Sequence, residues 1–195
     1  MQKQIVFIHG GETFPTYEEY LSWLENESVF DPERADRRAK RWHRQLETLI
    51  PGAVVLRPQM PNDLNAQYRE WELYFEKVVP HLTDGVICIG HSLGGTFLLK
   101  YLAAHTLPVR AHSVHLVAPS FGVPHTTFTV DEDISNITQQ APCTIYHSKD
   151  DPVVPYRESE DGVLRIPNAR LISCTNSGHF LSETLPELTE ALLGL

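Results

Sequence analysis

Val86-Ile87-Cys88-Ile89-Gly90-His91-Ser92-Leu93-Gly94 is the stretch that decides the fold of this chain. Its first four residues are an apolar run, as expected of a buried strand, and the small residues after Leu93 open a helix. Ser92 is thereby held on a sharp strand-to-helix turn, the arrangement of a nucleophile elbow. The turn forces the serine backbone into a strained region, and a side chain at position 90 or 94 would collide with the next strand or helix. The five-residue pattern alone is weak evidence; the flanking strand and helix give it weight.

Working outward, apolar runs at residues 4–9, 53–57, 85–89, 113–117, 143–147 and 170–174 read as strands. Most are apolar on both faces, as in strands covered by helices on both sides. Helical spacing links Trp71, Phe75, Val78, Val79 and Leu82, then Phe97, Tyr101 and Ala104, then Leu185, Leu188, Leu192 and Leu195. Alternation of this kind predicts an α/β fold, a doubly wound and mostly parallel sheet of about six strands. Asp31-Pro32-Glu33 reads as the start of a helix running to about Ile50. Its apolar stripe is Ala35, Ala39, Trp42, Leu46 and Leu49, with Arg34, Arg37, Arg38, Arg41 and Arg44 on the other arc. Those arginines read either as a solvated face or as a patch for an anionic ligand. Thr16-Tyr17-Glu18-Glu19 has the spacing of a capping box ahead of a short aromatic-rich helix.

A chain of 195 residues, 42% of them hydrophobic, is long enough for one core and is expected to form a single domain over 1–195. The formal net charge of −9 argues against binding nucleic acid or anionic membranes, which need a basic surface. No apolar signal region precedes the first strand, and no stretch approaches the roughly 20 apolar residues of a membrane span. Cys88, Cys143 and Cys174 each sit in a strand-like run and read as buried small hydrophobes. A cytoplasmic protein is expected, acting on a small molecule, with no metal or cofactor and no assignable protein partner.

A serine hydroxyl needs a base, and in such a sheet reactive groups gather beyond the carboxyl ends of strands. His179 lies in the loop after the last strand, with Gly178 giving it room to turn, and is the expected base. His147, ending the fifth strand, is its rival. His91 points away from the hydroxyl and reads as structural. His112 and His115 fall on opposite strand faces and are no metal pair, while His43, His81 and His105 are expected at the surface. A carboxylate must orient the base, and Asp151, made extended by Pro152, is preferred to Asp150 for this role. Oxyanion donors are expected at the Leu93 amide and in His9-Gly10-Gly11-Glu12, where Gly11 is favoured over Glu12. A phosphate loop at Gly10-Gly11 lacks the third glycine and the lysine.

With these residues in place, the chain resembles the α/β-hydrolase superfamily, and within it the small serine hydrolases related to retinoblastoma-binding protein nine. Ile8-His9-Gly10, Gly90-His91-Ser92-Leu93-Gly94, the run from Ser148 to Pro155 and Gly178-His179-Phe180 carry the resemblance. Met60-Pro61-Asn62 and Trp71 also look like the family's loop and helix ahead of the elbow. The resemblance implies Ser92 as nucleophile, Asp151 as acid and His179 as base, and an α/β-hydrolase fold. The chain departs from the family in an extra segment over residues 13–38, a candidate lid, whose Phe14 and Tyr17 are expected to border the substrate pocket. Only about 25 residues join the fourth and fifth strands, so no cap domain is expected there. The function implied is hydrolysis of an ester, thioester or amide through an acyl-enzyme. The alternatives are an acyltransferase, a cofactor-free carbon-carbon hydrolase, or a protein-binding module with little turnover.

Overall fold

A computed structural model describes residues 3–130 and 133–194, apart from the side chain of Arg34. Among them six strands form one parallel sheet: β1 (Gln4–Ile8), β2 (Val54–Leu56), β3 (Val86–His91), β4 (Ala111–Val117), β5 (Cys143–Ser148) and β6 (Arg170–Cys174). Their spatial order is β2-β1-β3-β4-β5-β6. The chain winds outward in one direction from β1 to β2 and in the other from β3 to β6. The switch therefore falls between β1 and β3, and the crevice beyond their carboxyl ends is where such a sheet binds ligands.

Alternation along the strands divides the core into two layers. Val6, Ile8, Val86 and Cys88 face Trp71 and Phe75 of α4 (Tyr68–Val78) and Phe97 and Tyr101 of α5 (Leu93–Ala104). Ile5, Phe7, Ile87 and Ile89 face Trp42, Leu46 of α3 (Leu46–Leu49), and Leu188 and Leu192 of α8 (Pro186–Leu193). Full burial of each such side chain stabilises the fold by about 1.5–3 kcal/mol. Cys88, Cys143 and Cys174 are buried and free. Leu195, the last of the predicted helical stripe, lies outside the described residues. No helix among them is long and apolar enough to cross a membrane.

The continuous helix expected from residue 33 to 50 does not form. Instead α2 (Arg34–Ala39) stops, Arg41 is extended at φ −61° and ψ 147°, a single 3₁₀ turn covers Trp42–Arg44, and α3 follows. The reason is tertiary. The break turns Trp42 inward, where its backbone N–H donates to Ser182 O at 3.1 Å and its indole Nε1–H donates to Phe180 O at 3.0 Å. A straight helix would forgo both bonds, and helix propensity is a weaker term than two buried hydrogen bonds with an indole's burial. Ala35 and Ala39 are consequently exposed rather than part of a buried stripe. His43, expected at the surface, is buried, its ring stacked on Phe7 at 4.6 Å and 7°.

The segment after β1 forms α1 (Tyr17–Asn26), capped by Thr16 Oγ1 accepting the Glu19 N–H at 3.1 Å. It buries none of its residues.

Candidate active site

Ser92 adopts φ 54° and ψ −125°, a left-handed backbone that a non-glycine residue takes only when its surroundings impose it. The surroundings here are glycines. A Cβ on Gly90 would lie 2.5 Å from Gly94 O, and one on Gly94 would lie 2.3 Å from Ile8 O. The Ser92 N–H is anchored to Val117 O at 2.8 Å, which ties the turn to β4. The hydroxyl thus stands over the carboxyl end of β3 at the first turn of α5.

The loop after β6 delivers His179. Ser92 Oγ donates to His179 Nε2 at 2.9 Å, and His179 Nδ1–H donates to Asp151 Oδ2 at 2.8 Å. Asp151 follows β5, and its side chain is fully buried. Its other oxygen accepts the N–H groups of Val153 at 2.8 Å and Val154 at 3.0 Å, so the carboxylate is fixed in position by the turn it starts. The rival base lies behind the acid. His147 Nε2 donates to Val154 O at 3.0 Å and stands 3.4 Å from Asp151 Oδ2, and its Nδ1 accepts from Ser159 Oγ at 2.7 Å. Both ring nitrogens are therefore occupied away from the serine. Asp150 serves the loops instead. It accepts from Ser148 Oγ and from the Gly178 N–H, joining the acid loop to the histidine loop.

Two residues hold the histidine loop from its far side. His91 Nε2–H donates to His179 O at 2.9 Å, and the Trp42 indole binds the next carbonyl, Phe180 O, as described above. Burial, reinforced by the neighbouring His179, pushes His91 down to about 3, so it stays neutral and keeps one fixed tautomer. The structural role read for His91 is this one. Trp42 gave no such signal in the sequence, because its partner lies 138 residues away.

His9 braces the loop beyond β1. Its Nδ1–H donates to Gly10 O at 2.6 Å while its Nε2 accepts the Met60 N–H at 2.9 Å, a pattern open only to the neutral ring. Burial lowers its pKa accordingly. Gly10 sits against the serine: a Cβ there would lie 3.1 Å from Ser92 Cβ. The Glu12 N–H donates to Asp63 O at 2.8 Å and is engaged there.

These groups open into a cavity of about 320 Å³, near the lower end of the range for small-molecule sites. Its walls include Gly10, Gly11, Arg38, Arg41, His43 and Arg44. Phe14 and Tyr17, expected at its border, do not line it. Phe14 packs on Tyr20 and Trp23 at ring distances of 5.6 and 5.4 Å, and Tyr17 is exposed. The aromatic residues of this segment satisfy one another on the outer helix, and the wall they were expected to supply comes from residues 38–44 and 57–64.

A doubly wound parallel sheet with a serine on the elbow after β3 defines an α/β hydrolase. The chain belongs to the serine hydrolase family, whose family model matches residues 32–185. It is 26% identical over 190 residues to the YdeN protein of Bacillus subtilis (strain 168), covering 94% of this chain and 88% of that one. The crystal structure of the Bacillus subtilis ydeN gene product superposes with a TM-score of 0.70 at 24% identity, over 98% of this chain and 97% of that one. Est1E from Butyrivibrio proteoclasticus gives 0.61 at 16% identity, over 98% and 86% of the two chains. A meta-cleavage product hydrolase from Pseudomonas fluorescens IP01 gives 0.69 at 12% identity, over 98% and 89%. This protein is thus a serine hydrolase by family, and the structural neighbours share its fold.

Proposed function

We propose that this serine hydrolase cleaves a small ester, thioester or amide through an acyl-enzyme on Ser92. The observation that carries the reading is the two-ended hydrogen bonding of His179, 2.9 Å from Ser92 Oγ and 2.8 Å from Asp151 Oδ2. With Nδ1–H committed to the carboxylate, Nε2 is left as the lone-pair acceptor for the serine proton. As Oγ attacks the carbonyl carbon, the proton passes to His179, and the buried carboxylate offsets the imidazolium charge that develops. The carbonyl oxygen becomes anionic. The Leu93 N–H at the start of α5 and the Gly11 N–H are the donors that would receive it. The imidazolium then protonates the leaving group. A water molecule, deprotonated by the same nitrogen, attacks the acyl carbon and releases the acid, restoring Ser92.

The acyltransferase alternative shares every step but the last, with an alcohol, amine or thiol replacing water. The binding-module alternative expects no covalent step at all. A fluorophosphonate probe followed by intact-mass measurement separates both covalent readings from the binding module, with stoichiometric labelling expected of the wild-type protein and none of Ser92→Ala; release of free acid, rather than transfer to an added alcohol, amine or thiol, separates the hydrolase from the acyltransferase. Absence of labelling in a folded wild-type protein would overturn the proposed reading.

A further inference from the structure

The molecule carries a formal net charge of −9, yet Arg38, Arg41, Arg44 and Arg57 converge on the catalytic cavity. Their convergence follows from the break at Arg41. In a continuous helix the arginines of residues 34–44 would share an arc opposite the buried stripe; the 3₁₀ turn instead brings Arg44 round to the cavity beside the stacked ring of His43. Not all of these charges are equivalent. Arg57 is bound by both oxygens of Glu47 and by His43 O, so its charge is offset locally. Arg37, off the cavity, pairs with Asp31 and Glu33. Arg38 and Arg44 form no ion pair with any carboxylate among the described residues.

The same cavity also carries Glu12, in the loop after β1, and Asp63, in the loop after β2. The arginine field reaches the site: after burial, which dominates, Arg38 and Arg44 both help to lower His9, and Arg44 and Arg41 lead the charges that help to lower His43.

We propose that Arg38 and Arg44 bind an oxyanion group of the substrate, a carboxylate or a phosphate carried alongside the scissile carbonyl. This deepens the hydrolase reading and rests on it. A guanidinium presents paired N–H donors that match either group, and a partly exposed site of this kind supports a preference of about tenfold.

The test compares two 4-nitrophenyl esters of equal chain length, the neutral pentanoate and the carboxylate-bearing hemiglutarate. The expected result is a kcat/KM at least about tenfold higher for the hemiglutarate, shrinking as salt is raised to about 0.5 M. The ratio should collapse in an Arg38→Gln/Arg44→Gln double variant whose melting temperature matches wild type. Arg44→Gln alone, on an exposed side chain, should lose part of it, and Arg157→Gln, on the outer helix Tyr156–Val163, should lose none. Inorganic phosphate separates the two sources. Competitive inhibition at micromolar concentration, lost in the double variant, supports a phosphate group, and preference without such inhibition supports a carboxylate. Equal turnover of both esters with no phosphate inhibition overturns the proposal and leaves the hydrolase reading standing. Turnover of neither ester, with no fluorophosphonate labelling, overturns both.

Discussion

At the residue scale, the account turns on a serine whose backbone is held at φ 54° by neighbours that must be glycine. Gly94→Ala would put a methyl group 2.3 Å from Ile8 O, a backbone atom that cannot move without disturbing β1. The expected outcome is a loss of at least about 3 kcal/mol in chemical denaturation, or failure to fold; near-wild-type stability would contradict the steric argument. On the proposed mechanism the three polar side chains act as one unit. Ser92→Ala and His179→Ala should each lower kcat/KM for a neutral 4-nitrophenyl ester by about 10⁴-fold or more, and the double variant should lose little beyond either single one. Asp151→Asn should be severe but less complete. That these three side chains meet was legible in the sequence because each lies beyond the carboxyl end of a strand and the chemistry names its residue type. The engagement of the Glu12 N–H by Asp63 O, which bears on the choice between Gly11 and Glu12, was not legible there.

At the element scale, strands could be read and one helix could not. A strand buried on both faces announces itself in four or five consecutive residues, and all six appear within two residues of their expected bounds. The helix expected over residues 33–50 has sound local patterning, with its break imposed by the carbonyls of Phe180 and Ser182 at the other end of the chain. Periodicity carries no trace of so distant a partner. For the same reason His43 was read as exposed, and Phe14 and Tyr17 were read as pocket walls, whereas Phe14 packs on Tyr20 and Trp23 and Tyr17 is exposed. The break has a functional reading that can be measured. Trp42→Phe keeps most of the ring's packing while leaving Phe180 O without its donor, at a cost of about 1–3 kcal/mol. Because that carbonyl adjoins His179, kcat should fall further than KM rises. A stability loss with kcat untouched would show that Trp42 serves packing alone.

At the scale of the whole molecule, the topological switch between β1 and β3 explains why groups from four separate loops meet at one crevice. The sequence revealed that meeting place through strand order and motif spacing, whereas the gathering of arginines on the cavity emerged only with the tertiary structure. The same burial that fixes tautomers makes the fold sensitive to acid. Burial pushes His43 and His91 down to about 3 and His115 down to about 4, against an ordinary value of 6.5. Each is neutral when folded and binds a proton more readily when unfolded, so stability is fully present above pH 6.5 and falls as pH drops from there towards 4 to 3. At pH 5 each contributes a loss of about 2 kcal/mol, a large share of the stability of an ordinary domain when the three are combined. Denaturation midpoints should therefore fall steeply between pH 7 and pH 5; a flat profile would contradict the buried neutral state of these rings. The central claim is tested most directly by rapid-quench peptide mass spectrometry after mixing the protein with 4-nitrophenyl acetate. The account predicts one acetyl group on the peptide containing Ser92, formed in the burst of 4-nitrophenol release and absent from that peptide on the same timescale in His179→Ala. Turnover of the ester by wild-type protein with acetyl found on another residue, or with none formed in the burst, would contradict it.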